Sequence, residues 1–153
     1  MLTIIQAAIF LSYITFLLIR FKKPLPSISD SWYELVGKEK ILFTLFCFSI
    51  GFLMFFQMDG TNPLFFFSGA GLIFTGTAAA FKEKQVKTVH TIGAITCIVF
   101  GLAALAYERN TIIPSLVFVG IGFLMYLYPI KNRVWWIEIL AFTCICGGLY
   151  ATQ

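Results

Sequence analysis

The chain has 153 residues, of which 59% are hydrophobic and only 12% charged, with a formal net charge of +4. That length suits one small soluble domain, but a mean hydropathy of +0.91 excludes one. Eighteen Phe cannot all be hidden in so small a core, whereas helix surfaces facing lipid accept them. The composition therefore predicts an all-α integral membrane protein, with the bilayer as solvent and no nucleic-acid partner.

A hydrocarbon core of ~30 Å needs about 20 apolar residues as helix, and six runs approach that length: Leu2 to Ile19, Ile41 to Met58, Pro63 to Phe81, Val89 to Tyr107, Ile112 to Tyr128 and Val134 to Thr152. Short breaker-rich links separate them, so consecutive helices should run antiparallel in a six-transmembrane-helix bundle, a single transmembrane domain over 1–153. The first run lacks a basic region before it and a small-residue cleavage site after it, which predicts a retained helix and not a removed signal peptide. Cys47, Cys97, Cys144 and Cys146 all fall inside apolar runs and read as small buried hydrophobes, neither a disulfide framework nor a metal clip.

The first link is the longest and the most polar. It opens with Pro24 and Pro26, continues through Ser27, Ser29 and Asp30, and carries Arg20, Lys22, Lys23, Lys38 and Lys40 around it. The third link holds Lys82, Lys84 and Lys87, and the fifth Lys131 and Arg133, against Arg109 alone on the opposite side. A ten-to-one split predicts that links one, three and five are cytoplasmic and that both termini lie on the non-cytoplasmic side of a cell or inner membrane. Trp32, Tyr33, Trp135 and Trp136 fit an interfacial aromatic belt on the basic side, which should attract anionic headgroups. Asp59, Asn62, Glu108, Arg109 and Asn110, on the other side, read as solvated turn residues.

Ionisable groups inside a membrane are expensive, so the few present are functional candidates. His90 opens the fourth run, with Gly93, Ala94, Cys97, Gly101 and Ala104 on nearly the same face, a strip that lets another helix come close within or between chains. Glu138 lies about a turn inside the sixth run, where a lone carboxylate must find a partner. Both runs start from the predicted cytoplasmic side. A pocket bounded by Ser27, Ser29, Asp30, His90 and Glu138 is the expected site, with Lys82 and Glu83 adding a charge pair nearby. A purely structural account stands beside it: Asp30 capping a short helix, Ser27 and Ser29 in a turn, and His90 donating to a backbone carbonyl.

Pro26-Ser27-Ile28-Ser29-Asp30, a following charged residue and Phe43, then Gly71-Leu72-Ile73-Phe74, Phe81-Lys82-Glu83, Val89-His90 and Gly93-Ala94 resemble, in order and spacing, the damage-regulated autophagy modulator (DRAM) family. That family includes membrane proteins associated with GPI-lipid remodelling. The resemblance covers Pro24 to about Gly101. It implies six helices and association with membrane lipids or their remodelling, and it marks Ser27, Ser29, Asp30 and His90 but not Glu138. Animal members are understood to place this link on the lumenal side, opposite to the charge count here.

Three functions compete. The first is a protein that binds or senses a lipid headgroup or small polar ligand, without chemistry. The second is an intramembrane lipid-modifying enzyme of hydrolase or acyltransferase type, with His90 as base, Asp30 or Glu138 orienting it, and Ser27 or Ser29 as nucleophile. No Gly-x-Ser-x-Gly elbow positions a serine. The third, a small transporter, lacks mid-membrane charges. No cofactor or metal is expected: a single His excludes three-His zinc and bis-His haem, and the absence of a helix-core Lys disfavours retinal.

Overall fold

The computed structural model describes residues 1–58, 63–78, 84–108 and 110–152, and every regular element among them is helical. Helix α1, Leu2–Phe21, runs twenty residues without a breaker. It stops where Lys22 turns into the left-handed region (φ 56°) and returns its N–H to the Leu18 carbonyl, two residues before Pro24. A single turn, α2 (Ser31–Glu34), and a 3-10 turn over Gly37–Lys40 lead into α3, Ile41–Phe55. The remaining helices are α4 (Leu64–Ala78), α5 (Lys84–Glu108), α6 (Ile113–Leu127) and α7 (Arg133–Ala151). Pro114 sits in the first turn of α6, where its missing N–H costs nothing. The helix ends at Tyr128, extended as a residue before proline must be (φ −102°, ψ 138°).

Three helical segments, Leu2–Phe21, Thr88–Glu108 and Arg133–Ala151, are long and apolar enough to cross a membrane. Helices α3 and α6 have 15 residues each, a rise of about 22 Å against a hydrocarbon core of ~30 Å. They are shorter than the apolar runs suggest because apolar residues continue past the helix ends: Phe56 to Met58 turn away from α3, and Tyr128 is already extended.

Helices α1, α3, α4, α5 and α7 form a closed ring, each packed on its neighbours in the order α1, α3, α4, α5, α7 and back to α1. Helix α6 lies outside it, in the groove between α7 and α5, and buries no residue. The ring's interior holds Leu17, Phe43, Ile50, Leu105, Trp135 and Ile145, all essentially inaccessible. Aromatic pairs knit α1 to α3 and α7: Tyr13 stacks on Phe46 at 4.5 Å and Phe10 on Phe142 at 4.8 Å. Outward faces remain apolar, with Phe52, Phe74, Val99, Leu116 and Phe123 exposed.

Helix α4 is held on both sides by glycine against glycine. A Cβ on Gly51 would lie 2.8 Å from the Gly69 carbonyl oxygen, and one on Gly71 would lie 2.7 Å from that of Gly93. Backbone cannot swing aside as a side chain can, so both contacts require the absent Cβ. The small strip on α5 is thus a packing surface. Gly93 meets α4, and Gly101 meets Ser68 of α4 and Ile145 of α7.

Candidate functional site

The first link is stitched to the start of α7 at alternate residues. Asn132 Nδ2 donates to the Pro24 carbonyl at 2.8 Å, the Trp135 N–H donates to the Pro26 carbonyl at 3.2 Å, and the Ile28 N–H donates to Glu138 Oε2 at 2.5 Å. The three contacts run in step, from the cap of α7 into its second turn and along alternate residues of the link. The prolines explain the polarity of the stitches. Having no N–H they offer only carbonyls, which suit the unpaired donors of a helix start. Ile28 supplies the N–H that a carboxylate needs. Glu138 therefore has a partner from a residue 110 positions away.

The same link then folds into a turn. Ser27 Oγ accepts the Asp30 N–H at 3.0 Å and lies 3.0 Å from Ser29 Oγ, and the Asp30 carbonyl receives the N–H groups of Tyr33 and Glu34. Asp30 stands at the N-cap position of α2, yet its side chain makes no capping bond. Ser27 closes the turn before α2, and the first N–H groups of α2 go to the carbonyls of Ile28, Ser29 and Asp30. Ser31, fully buried, joins its hydroxyl to that of Tyr13 of α1 at 2.6 Å and so ties the link to a second helix.

Beneath Ile28 and Ser29 a small, partly open cavity of about 40 Å³ lies between α3, α4, α5 and α7. Its polar lining comes from Ser29, Thr75 and Glu138; Phe43, Phe46 and Phe142 supply aromatic walls. The space admits one water molecule or a group of similar size. Of the five expected site residues, Ser29 and Glu138 line it, while Ser27, Asp30 and His90 do not. Asp30 is nevertheless within electrostatic reach of both His90 and Glu138, so the link and the starts of α5 and α7 meet at one end of the bundle.

His90 is half-buried, its ring 6.4 Å from that of Phe43 and its Nδ1 3.1 Å from the Thr75 carbonyl oxygen of α4. A carbonyl only accepts, so Nδ1 carries the proton and, in the neutral ring, Nε2 keeps the lone pair. That is the packing role foreseen as the alternative for this residue. Lys82 and Glu83 lie outside the described residues. All four cysteines are free thiols, and among the described residues no group of His, Cys, Asp or Glu is placed to hold a metal ion.

At the other end of the bundle sits a polar pair to which a search for ionisable groups is blind. Gln57 Nε2 donates to Gln6 Oε1 at 2.8 Å, with both residues buried and Gln6 Nε2 left unpaired. An amide in the second turn of an otherwise apolar helix was the available signal. Glu108 also departs from expectation. It is not a solvated turn residue: its Oε1 accepts the Leu64 N–H at 3.2 Å and caps the start of α4. Asn110 is exposed, in the left-handed region (φ 50°), and Asp59, Asn62 and Arg109 lie outside the described residues. Comparison of the chain with protein-family models, curated proteins and solved structures finds no match in any of the three.

Proposed function

We propose that this chain is a six-span membrane protein that binds the polar headgroup of a membrane lipid, or a small polar ligand, where the Pro24–Asp30 link closes over the start of α7. The observation that carries this reading is that Glu138 and Ser29 line one small, partly open cavity. A carboxylate at membrane depth is costly, and one bond to Ile28 leaves the lone pairs of its other oxygen for a ligand. With Asp30 close by, the preferred ligand group is a hydrogen-bond donor, a hydroxyl or an ammonium. The resemblance to the DRAM and GPI-lipid-remodelling proteins points the same way.

The asymmetry of basic residues supports cytoplasmic placement of the site and outward-facing termini. An enzyme built on His90 is the weaker reading. The Thr75 carbonyl on Nδ1 leaves Nε2 with its lone pair, but Ser27 and Ser29 bond to each other and not to His90.

The test is melting of the purified protein against a panel of amine- and hydroxyl-headed lipids. Wild type should gain stability with at least one of them, and Glu138→Gln, which keeps an acceptor for Ile28, should weaken that binding about tenfold. No lipid-dependent shift in wild type, or an unchanged shift in Glu138→Gln, overturns the proposal.

A further inference from the structure

A second concavity, unrelated to Glu138, lies on the outer surface between α1 and α3. It is a groove of about 510 Å³, open along its length, with Ile5, Ser12 and Phe16 on one wall and Leu42, Leu45 and Ser49 on the other. From Ile5 to Phe16 the wall rises about 16 Å, half of a hydrocarbon core of ~30 Å. The groove begins one turn below Arg20 and runs past the middle of α1. Apart from the two serine hydroxyls and the Tyr13 edge, the lining is apolar.

The groove's upper end is closed by charge. Arg20, one turn beyond Phe16 on α1, pairs its Nε with Glu39 Oε2 at 3.3 Å, and Glu39 lies in the turn that opens α3. Lys38 and Lys40 flank that carboxylate, and Lys40 Nζ sits 5.9 Å from the Trp32 ring centroid. Around this link five cations (Arg20, Lys22, Lys23, Lys38, Lys40) face three carboxylates (Asp30, Glu34, Glu39). The surplus is positive, and an interfacial tryptophan stands at headgroup level.

We infer that the α1/α3 groove binds one acyl chain of an anionic phospholipid drawn from the leaflet bordering the first link, with its phosphate held by Arg20, Lys38 and Lys40. Charge complementarity at the rim selects this occupant over a second copy of the chain, which would bring the same positive surplus against itself. The inference rests on α1 and α3 lying in the membrane, and not on the Glu138 cavity.

Native mass spectrometry of the full chain, with phosphatidylglycerol and phosphatidylcholine of identical acyl chains, tests it. Wild type should retain phosphatidylglycerol at least about tenfold better than phosphatidylcholine. Lys38→Ser with Lys40→Ser should bring the ratio close to one, and Ser49→Phe, which fills the groove, should lower retention of both lipids. Equal retention by wild type overturns the inference, and so does undiminished retention in Ser49→Phe. Ser12→Phe fills the groove from the opposite wall and provides the same readout where Ser49→Phe melts early. A groove that binds while Glu138→Gln leaves every lipid response unchanged would sink the cavity reading alone, and the converse would sink only the groove.

Discussion

Glu138 and Ile28 show how an ionisable group finds a partner inside an apolar helix bundle. The two prolines leave Ile28 as the N–H donor facing α7, and the carboxylate takes it. Removing the acceptor strands a buried donor, so Glu138→Ala should lower stability by about 1.5–3 kcal/mol, whereas Glu138→Gln should cost less than about 1 kcal/mol. Unfolding in mixed micelles against SDS fraction measures both. In the turn before α2, Ser27 makes a side-chain bond and Asp30 makes no capping bond. Ser27→Ala should cost about 1 kcal/mol through the lost bond to the Asp30 N–H, and Asp30→Ala less than about 0.5 kcal/mol. Glu138 was visible in the sequence because a carboxylate inside an apolar run is conspicuous. Its partner was not, because a backbone N–H carries no residue signature.

Among the elements, α4 is the most constrained and α6 the least. Gly71 and Gly93 hold α4 and α5 in backbone contact, so Gly93→Leu should destabilise by about 3 kcal/mol or more, the nearest obstacle being the Gly71 carbonyl oxygen. Gly120 of α6 has nothing within 4 Å of the position a Cβ would take. Gly120→Leu should therefore fall within about 0.5 kcal/mol of wild type in the same assay. The sequence revealed the glycine strip on α5, since spacing alone puts those residues on one face. It could not reveal that α6 stands outside the ring. A helix packed against protein and a helix packed against lipid are both apolar all round, so the pattern that separates core from surface in water is lost.

Over the whole molecule, the fold brings the first link and the starts of α3, α5 and α7 to one end, and the Gln6–Gln57 pair and Glu108 to the other. Apolar run length and short links made the helical order legible. The helix ends were less so, because apolar residues continue into turns. The stitch between residues 24–28 and 132–138 joins segments more than 100 positions apart, and only the folded chain shows it. The proposed topology puts this end in the cytoplasm, in a chain crossing the bilayer six times. Single-cysteine labelling in sealed vesicles with a membrane-impermeant maleimide tests it most directly. Lys23→Cys and Lys131→Cys should both react only from the cytoplasmic side and Asn110→Cys only from the other; reaction of Lys23→Cys and Lys131→Cys from opposite sides would contradict it.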